Sequence, residues 1–277
     1  MSLGDSVRIY RAPEFRQSSL VLGWSEDAGG VGWKVTEYLN RKLKGQEVAE
    51  IDPEDFFSLG GVAVRNDLAR FPESKFYACQ THELVVFRSD PPRAEWYRFL
   101  NSILDVAERH YRVKELCILG AMVTVSAHTT PRQLFAVFDS AETKGSLSQY
   151  GLVADMDYQT PPGQRPTLNS FLLWIAKGRN LRAVSLWVPI PFYLARVEDS
   201  QAQKKVLSFL DERLNLRIDF SDLNHEIREQ NEKLAQARSL SPQIDDYIHR
   251  LESNLMLSDE ENGELIRKIE SSLEERN

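Results

Sequence analysis

The segment Leu20-Val21-Leu22-Gly23-Trp24-Ser25-Glu26-Asp27-Ala28-Gly29-Gly30 constrains the fold more than any other stretch of the chain. An apolar run stops at a glycine, an acidic turn follows, and small residues then open an amphipathic stretch. A strand, a tight loop and a helix N-terminus in immediate succession are the mark of an α/β fold. In such folds the carboxyl edge of the sheet is where ligands and partners dock.

The same alternation continues along the chain. Residues 19–22 read as a strand and residues 31–43 as a helix, with Val35, Tyr38, Leu39 and Leu43 on one face. Residues 47–51 form a short strand that Asp52-Pro53 stops, and residues 76–78 and 84–87 form a strand pair that makes the sheet mixed. Residues 93–110 predict a helix whose stripe is Trp96, Phe99, Leu100, Ile103, Leu104 and Ala107. Strands follow at 116–119, entering Gly120, and at 134–138. A helix over 168–177 ends at Gly178, a strand over 181–188 stops at Pro189, and residues 201–214 are helical again. The fold class expected is α/β, a central twisted mixed sheet flanked by helices, with residues 1–218 as the core domain.

From Asp219 the character changes. Leu223, Ile227 and Leu234 mark one face of a charged helix. Ser241-Pro242 breaks it, with proline at the first position of the next helix. Ile244, Ile248, Leu251 and Leu255 continue at helical spacing. Ser258-Asp259-Glu260-Glu261 has the form of a capping box, and Leu265, Ile269 and Leu273 line a last helix. Residues 219–277 therefore read as a C-terminal helical arm. It is also the acidic part of the chain: 15 acidic and 7 basic residues stand there, against 26 and 27 before it, for a net charge of -7.

Several function classes are excluded by what is missing. No basic stripe with interleaved aromatics suits nucleic acid. No apolar stretch reaches the roughly 18–20 residues that span a bilayer, and the N-terminus has no signal-like core. Two cysteines, Cys79 and Cys117, make no disulfide framework, which points to a reducing, cytoplasmic setting. There is no phosphate-cradling Gly-x-x-x-x-Gly-Lys-Ser/Thr, no Gly-x-Gly-x-x-Gly and no paired Cys or His at metal-ligand spacing. No cofactor or metal is expected. Gly23-Trp24-Ser25 begins like a nucleophile elbow, but Asp27 stands where the closing glycine belongs.

The candidates that remain are few. His128 leaves a strand and precedes the polar turn Thr129-Thr130-Pro131-Arg132. There it suits anion binding or acid–base work, or it satisfies loop carbonyls. Asp27 suits either capping of a helix N-terminus or chemistry. Trp24 and Trp187 adjoin strand ends, where aromatics line a cleft or pack into a core or subunit contact. Asp155 and Asp157 share one face of an extended segment but lack a third ligand.

Five segments, in order, resemble the proteasome assembly chaperone family, the group named after the second eukaryotic chaperone. They are Gly23-Trp24-x-x-Asp27-Ala28-Gly29; Asp90-Pro91-Pro92 with Trp96; Gly120-Ala121 with His128-Thr129-x-Pro131-Arg132; Tyr158-x-x-Pro161-x-Gly163; and Leu186-Trp187-Val188-Pro189-x-Pro191-x-Tyr193. Thr160, Pro162, Gln164 and Phe192 depart from the family pattern. The resemblance implies a core of the purine nucleoside phosphorylase type, self-association, and proteasome subunits as protein partners. The final Glu275-Arg276-Asn277 lacks the hydrophobic-tyrosine-any tripeptide by which some archaeal members dock. The function expected is that of a non-enzymatic homo-oligomer acting through protein contacts. The competing reading is a small-ligand protein or enzyme, for a nucleoside- or phosphate-like molecule, with its cleft at the sheet's carboxyl edge. The residues on which either reading rests are Gly23, Trp24, Asp27, Gly29, His128, Arg132, Tyr158, Trp187 and Tyr193.

Overall fold

A computed structural model describes residues 6–57, 63–65 and 67–274; the N-terminal and C-terminal residues discussed above lie outside them. In chain order the elements are β1 (Val7–Ile9), β2 (Ser18–Trp24), α1 (Val31–Leu43), β3 (Gln46–Ile51), β4 (Ala63–Arg65), β5 (Leu68–Arg70), β6 (Ser74–Cys79) and β7 (Leu84–Ser89). There follow α2 (Trp96–Tyr111), β8 (Val113–Thr124), β9 (Phe135–Phe138), α3 (Ala141–Ser146), α4 (Leu168–Gly178) and β10 (Arg182–Pro191). The C-terminal helices are α5 (Ser200–Leu214), α6 (Ser221–Leu240), α7 (Pro242–Glu252) and α8 (Asp259–Glu274).

An eight-stranded sheet has the order β1-β3-β6-β7-β2-β8-β10-β9. Strand β2 sits inside it, parallel to both β7 and β8. That explains its nearly continuous apolar sequence, since a parallel strand is buried on both faces. The β6–β7 and β3–β6 pairings are antiparallel, so the sheet is mixed, as the strand doublet predicts. Strands β4 and β5 form a separate two-stranded ribbon.

The chain forms two compact units, each discontinuous in sequence. One holds the described residues up to Glu26, Gly32–Gly120 and Phe135–Leu186; the other holds Asp27–Val31, Ala121–Leu134 and the described chain from Trp187 onward. In the first unit, alternate strand residues such as Leu22, Trp24, Phe76 and Phe87 join Phe99, Ile103 and Leu104 of α2 and Leu172 and Ala176 of α4 in one apolar core. Side chains alternate across a sheet, so α2 and α4 cover one face. Gly23 points to the other, where α1 begins: a Cβ on Gly23 would stand 2.1 Å from the Gly32 carbonyl oxygen.

In the second unit the helices are capped as their sequences suggest. Ser241 Oγ accepts from the Ile244 N–H at the start of α7, with Pro242 in the first turn. Ser258 and Glu261 exchange reciprocal bonds, the Glu261 carboxylate accepting from Ser258 N at 2.7 Å and Ser258 Oγ from Glu261 N at 3.3 Å. This is the capping box read from the sequence.

Several boundaries differ from expectation. Strands β8 and β10 run past Gly120 and through Pro189; proline is tolerated in a strand where its missing N–H is not needed by a neighbour. Leu255 lies beyond α7 and is exposed. Strands β1, β4 and β5 and the six-residue α3 are unanticipated. They are too short to carry a period, and β5 is exposed throughout.

Candidate functional site

Trp24, which ends β2 in the first unit, is buried by design of its neighbours. Its indole N–H donates to Asn169 Oδ1 at 2.7 Å, and Asn169 Nδ2 donates to the Leu119 carbonyl at 2.9 Å. The ring meets Phe87 edge-on. A buried indole needs such a partner for its N–H, and this one ties β2, α4 and β8 together. Gly23 is the close-approach point just described. Tyr158 lies in the exposed segment before α4 and is itself exposed, so it joins neither.

The second unit gathers the larger set. Asp27 is the N-cap of the short 3-10 helix Ala28–Gly30; its Oδ1 accepts from Ala28 N at 3.1 Å and from Ala121 N at 2.9 Å. Gly29 takes φ 63°, and its N–H donates to the Ala195 carbonyl while its carbonyl accepts from Asp199 N. Asp199 in turn caps α5 through Ala202 N at 2.9 Å and receives Arg132 Nη2 at 2.8 Å and Nε at 3.2 Å. The Arg132 and Asp199 side chains are only 5% and 1% exposed. Arg132 also donates to the Thr130 carbonyl at 2.8 Å.

His128 completes this junction. Its backbone N–H donates to the Tyr193 hydroxyl at 2.6 Å, and its Nδ1 lies 2.9 Å from the same oxygen. Burial, reinforced by Arg238 and Arg132, lowers the imidazole pKa from 6.5 to about 4. Burial pushes the Tyr193 phenol up. The ring is neutral at neutral pH, and the phenol keeps its proton. Thr129 donates to Glu252 Oε1 at 3.0 Å, and Arg238 Nη1 reaches the same carboxylate at 2.7 Å, which ties the histidine turn to α6 and α7. Trp187, in β10, is half-buried. Asp27, Gly29, His128, Arg132 and Tyr193 are thus engaged with groups of their own unit. Asp199, which sequence reasoning missed, is the hub. Among the described residues no three His, Cys, Asp or Glu side chains are grouped to hold a metal. Asp155, in the first unit, is bound by Lys144 at 2.8 Å.

At the carboxyl ends of β2, β3 and β7 the first unit has a groove of about 990 Å3. Ser25 and Glu26 follow β2 there, Asp90 and Arg93 follow β7, and Trp33 comes from α1. None of the nine sequence-predicted residues lines it. The side chains that face this groove were not legible in the sequence.

Residues 20–238 match the PAC2 family. The chain belongs to that family, the one its five motifs resemble. Solved structures of similar fold include a protein of unknown function from Corynebacterium glutamicum, with TM-score 0.74 and 17% identity over 95% of this chain and 99% of that one. PbaB of Pyrococcus furiosus, an archaeal proteasome activator, is similar with TM-score 0.68 and 20% identity over 84% of this chain and 98% of its own. A Mycobacterium tuberculosis proteasome-assembly chaperone homologue gives TM-score 0.67 and 19% identity over 84% of this chain and 99% of that one. At these identities the likeness is one of fold. A search of curated proteins returns no match. No helix among the described residues is long and apolar enough to cross a membrane.

Proposed function

We propose that this protein is a self-associating, chaperone-like factor of the cytoplasm that acts through protein contacts and carries out no reaction of its own. On this reading residues 1–218 form the core and residues 219–277 an acidic helical arm that adds contact surface, with proteasome subunits as the partner class. Membership of the family and the fold shared with a proteasome activator and a proteasome-assembly chaperone homologue support it. So does the internal satisfaction of the motif residues, which bind one another and the backbone around them.

The observation that carries the reading is an aromatic surface on the first unit. Tyr97 of α2 and Trp174 of α4 are 59% and 60% exposed. Phe171 stacks on Trp174 at 5.5 Å between ring centroids and meets both Tyr97 and Trp96 at 6.4 Å. Exposed aromatics grouped in this way mark protein interfaces. The occupant this surface suits is a second copy, because the same unit exposes the proline-rich segment Gln159-Thr160-Pro161-Pro162-Gly163-Gln164-Arg165-Pro166, and aromatic platforms hold such extended segments.

Light scattering on the full-length chain tests self-association. A mass that is a multiple of 31.8 kDa, reduced toward the monomer by Trp174→Glu with the far-ultraviolet spectrum retained, is the expected result. A monomer at every concentration overturns it. Assembly of purified proteasome ring subunits, timed with and without the protein, tests the partner class; unchanged kinetics and no co-migration refute it.

A further inference from the structure

The cross-strand register brings Arg8, Glu50, Lys75, Arg88 and Gly23 into one row running over β1, β3, β6, β7 and β2. Opposite charges side by side stabilise such a row and like charges oppose it. Arg8 meets Glu50 at 3.1 Å, and Lys75 meets Glu47 at 3.2 Å and Glu73 at 3.5 Å. Arg88 breaks the alternation: it stands beside Lys75 on one side and a glycine on the other.

No carboxylate pairs with Arg88 among the described residues, and its Nε is buried without a hydrogen-bond partner. What holds it is Trp33, over whose ring the guanidinium carbon lies at 3.6 Å. Both residues line the 990 Å3 groove. The acids that share the groove are already engaged. Glu26 pairs with Arg93, Glu37 with Lys34 and Glu73 with Lys75. Asp90 accepts from Ser25 and from the Glu73 N–H. Among the described residues a planar cation is left, resting on an aromatic ring in an open groove, without a counter-ion. A flat fork of N–H donors fits carboxylate and phosphate oxygens two at a time.

We propose that this groove is an oxyanion-binding site, in which Arg88, held by Trp33, takes a carboxylate or phosphate group. The site shares no residue with the junction around Asp199 or with the aromatic surface of α2 and α4, and it does not rest on the chaperone-like reading.

The test uses the full chain and the Arg side-chain Nε–H resonances in nitrogen-15 spectra, with Arg88→Lys identifying the Arg88 signal. Inorganic phosphate and acetate are titrated separately at matched ionic strength, with chloride as the reference. The expected result is a saturable shift of the Arg88 signal with phosphate, acetate or both, chloride giving none; whichever titrates tighter names the ligand's head group. Arg88→Lys, judged from the Trp33 indole and neighbouring amide signals, weakens binding about tenfold or more, because the fork is lost while the charge stays. Trp33→Leu frees the guanidinium and weakens binding without removing the donor, which keeps the test decisive if position 88 proves sensitive for folding. A shift that rises linearly without saturation, or saturates equally with chloride, overturns the site. So does unchanged affinity in both variants.

Discussion

Asp199 and Arg132 form the ion pair on which the second unit's junction turns, since both side chains are nearly inaccessible. Removing one partner leaves a buried charge uncompensated. Asp199→Ala is therefore expected to cost about 3–5 kcal/mol in urea unfolding, whereas Asp199→Leu combined with Arg132→Met costs less than either single change. Equal or additive costs would show that the pair is solvated in solution. His128 gives a second residue-scale prediction, with a definite sign. Its folded pKa of about 4 lies below the ordinary 6.5, so the unfolded chain binds the proton more readily. This contribution to stability is complete above pH 6.5 and is lost as pH falls toward 4, amounting to about 3 kcal/mol. The stability advantage of the wild type over His128→Gln should shrink across that window. A ring titration centred near 6.5 in the native spectrum would refute the burial on which it depends. The sequence singles out His128, Arg132 and Tyr193 by their motifs, but not Asp199. Asp199 meets Arg132 across 67 positions, and as a residue it looks like any other N-cap. Arg88 reads as a charge at the end of an apolar strand, and its lack of a carboxylate partner among the described residues shows only once β6, β7 and α1 have come together.

At the scale of elements, β2 and α1 are bound by a contact that tolerates no side chain. The Gly32 carbonyl oxygen and carbon would lie 2.1 and 2.5 Å from a Cβ on Gly23. Both are backbone atoms, so neither can rotate away. Gly23→Ala must separate strand from helix, and the expected loss exceeds about 4 kcal/mol or abolishes folding in a thermal melt. A variant within about 1 kcal/mol of the wild type would mean that α1 can slide along the sheet. Helix α1 was legible to the residue, because its buried face recurs at helical spacing between a small-residue start and the turn at Lys44, which takes φ 55°. The capping box before α8 was legible for a similar reason, since its two hydrogen bonds are local. Strand lengths were harder to read. Nothing local tells β8 to continue past Gly120, because pairing across the sheet decides where a strand stops.

For the molecule as a whole, the sheet class followed from the alternation of strands and helices, and the family from five short motifs in order. The division into two compact units did not, since each is assembled from segments far apart in the chain. The cysteines offer a way to measure the cohesion of the first unit directly. Cys79 and Cys117 are in no disulfide and both are buried in it, and burial raises the Cys79 thiol to about 12. A thiolate is the reactive species, so a native Cys79 is protected twice, by access and by ionisation. Cys117 lies within β8, and its exposure requires that the strand leave the sheet. Neither thiol should react with a colorimetric disulfide reagent on the timescale of an unfolded control, and both should react together once urea opens the sheet. Where labelling is fast relative to reclosing, its rate is the opening rate; where it is slow, it reports the population of the open form. Measured in the two regimes, the same pair of thiols yields both the rate and the free energy of opening. Rapid reaction of Cys79 alone in native buffer would place it in a local fluctuation of the β6 end rather than in the core. Because Gly23→Ala acts in the same unit, it should raise the labelling of both thiols, and the increase ought to match the stability lost in the melt.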